Sequence, residues 1–197
     1  MQYIIGLGNP GAEYNGTRHN TGRRIVETFA KKNDFSDWKH DKKLKALTAK
    51  GNVEGESVTL VLPETFMNKS GTAVKLFIKS VKGAEKMIVI YDDLDLPLGS
   101  IKISYGRGSG GHRGVDSIMK AVRTRDFPRI RVGVSPTTPS GKLRKPSGEK
   151  EVIDFILGKF KKPEEETLVK VVKKACEALG AIVVDGRESA MNEYNQL

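Results

Sequence analysis

The chain has 197 residues, of which 38% are hydrophobic and 29% are charged, as is typical of one soluble globular domain. No apolar run approaches the roughly twenty residues of a membrane-spanning helix, so we expect no membrane segment. The N-terminus enters a strand-like run directly, which argues against a signal peptide. A single cysteine, Cys176, suits the reducing conditions of the cytoplasm, where we expect the protein to act.

The positive charge of the chain is concentrated in residues 99–150. Twelve Lys or Arg and three acids give this segment a net charge of +9, out of +10 for the whole chain. Such a concentration favours a polyanionic partner, and nucleic-acid phosphates fit best. The alternative is a solvated basic face that only maintains solubility.

The first predicted elements are a short apolar strand at residues 3–5 and a helix at residues 24–30, whose apolar positions recur at helical spacing. The loop between them, residues 6–22, is far longer than a common connection, which has about two to six residues. Its polar and aromatic side chains include Asn9, Tyr14, Arg18, His19 and Asn20. We therefore expect a functional site here.

The same loop contains a possible dinucleotide motif, because residues 6–11 (GLGNPG) match G-x-G-x-x-G after a strand. That motif must open directly into a helix whose N-terminal amides face the pyrophosphate. Pro10 and the turn-rich residues 14–17 interrupt such a helix. A nucleotide-dependent oxidoreductase is therefore a weak alternative.

Strands and helices continue to alternate after this loop. The predicted elements are a hairpin of strands at 45–50 and 57–62, a helix at 68–80, a buried strand at 87–91, a more exposed strand at 100–105, a helix at 115–123, a strand at 129–134 and a helix at 164–180. Residues 137–150 are basic and rich in Pro, Gly and Ser, so we expect a mobile loop. The pattern predicts one α/β domain over residues 1–197, with α/β/α layers and a mixed, largely parallel central sheet.

Four motifs occur in order between residues 3 and 134. They are the loop GLGNPGAEYNGTRHN at 6–20, TFMNKSG at 65–71, DDLDLP at 92–97 and GSGGHRG at 108–114. Together they resemble the signature of bacterial peptidyl-tRNA hydrolases over two-thirds of the chain. The resemblance implies hydrolysis of the ester between a peptide and the terminal ribose of tRNA, by a monomer without a cofactor.

The resemblance also implies roles for single residues. His19 matches the catalytic histidine, and its ordinary pKa of about 6.5 suits a general base acting on water. Asp92 matches the aspartate that orients this histidine and raises its basicity. A turn-capping histidine is the structural alternative for His19, and turn formation around Pro97 is the simpler interpretation of Asp93.

The two asparagines match residues that contact the substrate. Asn68 resembles the residue that binds substrate and positions the water or the developing oxyanion. Asn9 resembles the residue that contacts the peptide, where a neutral amide can bind a carbonyl without attracting a free ammonium group. We expect no metal, because the spacing of His19, His40 and His112 forms no metal-ligand pattern.

Four further residues match tRNA-binding positions. Tyr14 and Phe66 correspond to aromatic residues at the site of the tRNA end, although both types are also common in cores. Lys102 and Arg131 correspond to basic residues that hold the 5′-phosphate. These four residues predict separate contacts for the bases and the phosphate of the tRNA.

One position departs from the family pattern. Arg113 follows the histidine of the glycine-rich loop, where the family usually has asparagine for binding tRNA and positioning water. Arginine only donates hydrogen bonds, so it can bind a phosphate or ribose but cannot accept a hydrogen bond from water. This change and the basic segment motivate the second alternative, a non-catalytic RNA-binding relative. Retention of His19, Asn9, Asn68 and Asp92 argues against that alternative.

Overall fold

The computed structural model describes residues 1–196, whose seven strands form one sheet. The strands are β1 Gln2–Gly6, β2 Lys39–Asp41, β3 Ala46–Val53, β4 Glu56–Pro63, β5 Met87–Pro97, β6 Ile101–Ser104 and β7 Arg129–Ser135. Their order in the sheet is β2-β3-β4-β1-β5-β7-β6. The four central strands are parallel, whereas β2, β3 and β6 run antiparallel to their neighbours. The predicted mixed sheet with a parallel centre is confirmed.

Helices cover both faces of this sheet. They are α1 Thr21–Lys32, α2 Ser70–Phe77, α3 Val81–Ala84, α4 Arg113–Val122, α5 Glu149–Leu157, α6 Lys162–Val184 and α7 Arg187–Tyr194. Successive residues of β1 point to opposite faces, so Ile4 packs in the core beneath α1 and α6, and Ile5 packs in the core beneath α2 and α4. This arrangement confirms a single α/β domain with three layers. Within the described residues, no helix combines the length and apolarity required to cross a membrane.

Strand β5 is longer than the sequence pattern predicts. We expected it to end at residue 91, but it continues to Pro97 with Asp92 and Asp93 inside the strand. The two aspartates align with Val132 and Gly133 of β7, and the register shifts between Asp93 and Pro97. Buried carboxylates are unusual in a central strand, which is why the sequence suggested an earlier end. The sequence pattern did not predict β2, α3, α5 or α7.

A close approach between the first loop and β5 positions the candidate site. Gly22 lies against the backbone of β5, and a β-carbon at this position would overlap the carbonyl oxygen of Ile90. The same carbonyl accepts a hydrogen bond from the Leu7 amide at 3.0 Å. The loop forms two 3₁₀ turns before α1 starts at Thr21, so the glycine motif does not open into a helix. The dinucleotide motif therefore lacks the helix that it requires.

The basic segment at residues 137–150 has local structure in its first part. Thr137 and Leu143 form an antiparallel bridge, and the Gly141 amide donates to the Thr138 carbonyl oxygen at 2.9 Å. The Lys145 ammonium donates to Asp95 Oδ1 at 2.7 Å. Helix α5 begins at Glu149, inside the segment that we expected to be a loop. The mobility of the segment stays a prediction.

Candidate active site

The main cavity has a volume of about 850 Å³ and lies beside the carboxyl-terminal half of β5. Six of the predicted site residues line it: Asn9, His19, Phe66, Asn68, Asp92 and Arg113. They come from the loop after β1, the turn before α2, strand β5 and the start of α4. Tyr14, Lys102 and Arg131 are outside this lining. The structure thus brings together the predicted catalytic residues and separates two of the predicted phosphate contacts from them.

His19 and Asp92 form a buried pair at the base of the cavity. Nδ1 of His19 lies 3.0 Å from each carboxylate oxygen of Asp92. Burial alone would raise the pKa of Asp92, but the neighbouring charges and hydrogen bonds of His19 and His112 outweigh it and hold this pKa well below its ordinary value. Asp92 is therefore ionised at neutral pH and accepts a hydrogen bond from the N–H group at Nδ1 of His19. Nε2 of His19 has no hydrogen-bond partner within residues 1–196.

His112 is a third member of this group, which sequence analysis missed. Its Nε2 lies 3.1 Å from Asp92 Oδ1, and its Nδ1 accepts a hydrogen bond from the Val115 amide at 3.2 Å. A backbone amide only donates, so neutral His112 carries its proton on Nε2 and donates it to Asp92. Both ring nitrogens of His112 are thus engaged. Of the two histidines at Asp92, only His19 has a nitrogen available to bind the proton of a water molecule.

Asn9 presents its amide nitrogen toward the cavity. Its Oδ1 accepts a hydrogen bond from the Met67 amide at 2.8 Å, which assigns the other end of the side chain as the free NH₂ group. Asn20 positions Asn9 through two hydrogen bonds to its backbone, both 2.9 Å long. Asn9 can therefore donate to a carbonyl oxygen but offers no acceptor to an ammonium group. This positioning role of Asn20 was not predicted from the sequence, although Asn20 lies within the first motif.

The side chains of Asn68 and Phe66 are available to a ligand. Both belong to the turn between β4 and α2, and Phe66 is 57% exposed. Asn68 makes no side-chain hydrogen bond to the rest of the described chain, so both ends of its amide are free. The Tyr14 ring packs nearly perpendicular to the Phe66 ring, at a centroid distance of 6.5 Å. Phe66 can thus offer an aromatic ring to a ligand in the cavity, whereas Tyr14 does not line the cavity.

Arg113 contacts a residue that the sequence did not indicate. Its guanidinium donates to Glu149 at the start of α5, across one side of the cavity, and the two side chains are 59% and 75% exposed. Such an exposed pair contributes little to stability, about 0–1 kcal/mol. A phosphate oxygen could replace the Glu149 carboxylate at little cost. The predicted contact of Arg113 with tRNA is compatible with this geometry and stays a prediction.

Arg18 joins the loop after β1 to α5, which forms the apolar wall of the cavity. Its guanidinium donates to both carboxylate oxygens of Glu164, at 3.1 and 2.9 Å, and lies 4.3 Å from the centre of the Phe155 ring. The Arg18 amide also donates to the Gly158 carbonyl oxygen at 3.1 Å. The 3₁₀ turn that carries His19 is therefore tied directly to the end of α5.

A second cavity, of about 350 Å³, lies at the β6 edge of the sheet and is lined in part by Lys102 and Arg131. They are directly opposite each other in the antiparallel β6–β7 pair. Nε of Arg131 donates to Asp93 Oδ2 at 2.7 Å, so Asp93 holds this arginine rather than only forming a turn. Arg129, which contributed to the basic charge of the segment, is fully buried and donates to three carbonyl oxygens. The charge count therefore overstated the basic surface.

Among the described residues, one group has side chains placed closely enough to hold a metal ion: His19, Asp92 and His112. One potential ligand atom from each residue lies within 4.8 Å of the others. Linear spacing could not indicate this group, because the three residues come from separate segments. In the observed geometry, the nitrogen atoms that face Asp92 are used for hydrogen bonds to its carboxylate. The expectation of no metal stays a prediction.

Known proteins with similar sequences and structures share one family. The family described as peptidyl-tRNA hydrolase matches residues 3–197. Peptidyl-tRNA hydrolase of Thermoanaerobacter sp. (strain X514) is 41% identical over 196 residues, which covers 99% of this chain and 100% of the relative. That of Dehalococcoides mccartyi (strain CBDB1) is 39% identical over 197 residues, again covering 99% and 100%.

A solved structure agrees with these relatives. The crystal structure of peptidyl-tRNA hydrolase from Acinetobacter baumannii superposes with a TM-score of 0.86 at 34% identity, covering 99% of this chain and 94% of that chain. The similarity therefore extends over the whole domain, including the α5–α6 region that the four motifs do not cover. This chain belongs to the peptidyl-tRNA hydrolase family.

Proposed function

We propose that the protein hydrolyses the ester bond of peptidyl-tRNA and releases a free tRNA and a peptide. The observation that carries this proposal is the Asp92 carboxylate hydrogen-bonded to two histidines, with Nε2 of His19 free to act in the cavity. The family membership supports the choice of substrate. The residues provide a base, neutral amides and an aromatic face, which are the groups that attack on a nucleic-acid ester requires.

The first step is activation of water by His19. Nε2 takes one proton from water while the hydroxide attacks the ester carbonyl carbon. The imidazolium that forms is stabilised by the ionised Asp92 at 3.0 Å. His112 donates to Oδ1 of the same carboxylate, so this second hydrogen bond helps Asp92 to keep its orientation as the charge on His19 changes.

The second step is collapse of the tetrahedral intermediate. The carbonyl oxygen gains negative charge during attack, and the free amide of Asn68 can donate a hydrogen bond to it. The ribose oxygen then leaves and takes the proton from Nε2 of His19. The NH₂ group of Asn9 binds a peptide carbonyl, and the lack of a free acceptor there disfavours a substrate with a free α-amino group.

The buried polar group favours catalysis over RNA binding alone. Asp92, His19 and His112 are largely buried, and burying titratable groups costs free energy unless they are paired. A protein that only bound RNA would gain no affinity from such a group at the base of a cavity. Perturbed carboxylates in a cleft are instead common at sites of chemistry.

The proposal includes a position for the tRNA. Lys102 and Arg131 bind the 5′-phosphate at the sheet edge, while Phe66 stacks on a base and Arg113 binds the sugar-phosphate end at the cavity. The spacing between these sites would select an acceptor stem over simpler esters. We further propose that the protein acts in the cytoplasm as a monomer.

A single assay tests the proposed chemistry. His19→Ala should reduce hydrolysis of N-acetylated aminoacyl-tRNA by about 10²–10⁴-fold, the range for loss of a general base, with little change in tRNA affinity. His40→Ala is the matched control, because His40 is exposed on β2. Free tRNA is separated from substrate and counted in single-turnover reactions. Equal activity of the His19 variant and wild type would exclude His19 as the base.

A further inference from the structure

A groove between α2 and α4 adjoins the active-site cavity and has no role in the proposed reaction. Its volume is about 420 Å³, and it shares Asn68 and Arg113 with the lining of the main cavity. It shares no lining residue with the cavity that contains Lys102 and Arg131. The active-site cavity therefore lies between two separate basic surfaces.

The charges along the groove suit a phosphate backbone. Lys75 of α2 and Lys120 of α4 are exposed, and neither ammonium lies within 4.0 Å of a carboxylate in residues 1–196. Arg113 and Lys120 are seven residues apart on α4, so they lie on the same face of the helix. Asp116 is the acid among the lining residues. Arg113 is paired with Glu149, so three cations face two carboxylates and the surface keeps a net positive charge, carried by Lys75 and Lys120.

The walls of the groove are rigidly placed. A β-carbon on Gly71 would overlap the carbonyl oxygen of Ser117, so the backbones of α2 and α4 approach closely at this point. The Gly71 amide also donates to Ser117 Oγ at 3.0 Å. A groove that exists before binding requires little reordering when a ligand enters, which preserves affinity.

We propose that the α2–α4 groove binds the single-stranded 3′ end of the tRNA and guides it into the active-site cavity. Lys75 and Lys120 contact its phosphates, and Phe66, which is exposed in the lining of the adjoining cavity, stacks on a base. Basic grooves with adjacent aromatic faces are the usual means of holding single strands. This inference rests on the proposed function, and it assigns one basic surface to the 5′-phosphate and the other to the 3′ strand, which meet at the same end of the acceptor stem.

The test compares two peptide-free acceptor-stem RNAs, one with a single-stranded 3′ overhang and one blunt. In the variant Lys75→Ala/Lys120→Ala, affinity for the overhang RNA should fall about tenfold at low salt, and the salt slope should decrease by about 1.4, or 0.7 for each of two phosphates. Affinity for the blunt RNA should change little. Lys102→Ala should instead weaken both RNAs, because both retain the 5′-phosphate.

The control variant is Lys79→Ala/Lys82→Ala, which removes the same charge from two other exposed lysines on this side of the domain. It should bind both RNAs as wild type does. The inference is overturned if the Lys75/Lys120 variant binds both RNAs normally, or loses affinity for both equally. Because no RNA in this test carries a peptide, the outcome is independent of hydrolysis. Failure of wild type to hydrolyse peptidyl-tRNA would refute the proposed function separately.

Discussion

Replacing Asp92 with asparagine tests how the carboxylate controls the proton on His19. His112 donates from Nε2 to Oδ1 of residue 92, so the oxygen of an asparagine should occupy the Oδ1 position. The NH₂ group then takes the Oδ2 position, 3.0 Å from Nδ1 of His19. The oxygen at the Oδ1 position is also 3.0 Å from this nitrogen, but it already accepts the hydrogen bond of His112. An NH₂ group donates to Nδ1, which moves the imidazole proton to Nε2. His19 would then present a proton to water and could not act as a base.

Two energies set the size of the effect. Restoring the active tautomer places two N–H groups against each other, an unmade hydrogen bond that costs about 1–3 kcal/mol. The imidazolium formed during attack also loses a hydrogen bond to a charged partner, which is worth about 1.5–3 kcal/mol. Since about 1.4 kcal/mol corresponds to a tenfold change in rate, the two effects predict a loss of about 10²–10⁴-fold.

The rate is measured as single-turnover release of free tRNA, and the tautomer by the nitrogen chemical shifts of the histidine rings in NMR spectra. Asp95→Asn is the control, because Asp95 lies on the same strand as Asp92 and its only ion pair among the described residues is an exposed one, with Lys145. This substitution should alter the rate by no more than about threefold. If Asp92→Asn keeps its rate within about tenfold of wild type, or if His19 retains the proton on Nδ1, the tautomer argument is refuted.

Lys102→Ala should weaken tRNA binding, and the dependence of log affinity on log salt concentration should become shallower by about 0.9, the value for one duplex phosphate. Turnover at saturating substrate should be preserved, and an unchanged salt dependence in filter-binding assays would contradict the phosphate contact. Asn9→Asp should replace the free donor with a charged acceptor, so hydrolysis of N-acetylated substrate should fall relative to substrate with a free amine. If that ratio stays constant, Asn9 does not contact the peptide. Gly22→Ala should destabilise the fold by about 1–3 kcal/mol, as overpacking does, because its β-carbon would overlap Ile90; Gly180→Ala, whose β-carbon would meet open space, is the control in urea unfolding. The pKa of Asp92 is lower in the folded protein, so the stability that this group contributes is present above the unfolded pKa of about 3.9 and is lost as pH falls through the folded value. The stability difference between wild type and Asp92→Asn should therefore narrow below about pH 4 in urea titrations, and a gap that widens with acid would contradict this sign.

Local patterns in the sequence were sufficient for the central elements of the fold. The apolar run at the start of β5 predicts a buried strand, and the helical spacing of Ile25 and Phe29 predicts α1. Both elements are determined by near neighbours in the sequence and by the burial of their apolar side chains. The short elements were missed because packing holds them in place. Helix α5, for example, has no fully buried residue and is held by Arg18, far away in sequence. An isolated segment carries no signal of such a contact.

The same division applies to the site. The motifs alone indicated His19, Asp92, Asn9 and Asn68, because the residue types and their order resemble one family. Tertiary structure alone decided what each side chain is free to do, since hydrogen bonds between distant segments determine it. Asp92 and His19 are 73 residues apart, and the amide of Met67, 58 residues from Asn9, decides which end of that side chain faces the cavity. His112 was no candidate until the fold placed its Nε2 on the same carboxylate. The sequence therefore indicates which groups can react, whereas the burial and hydrogen bonding in the folded protein decide which ring nitrogen of His19 carries the proton.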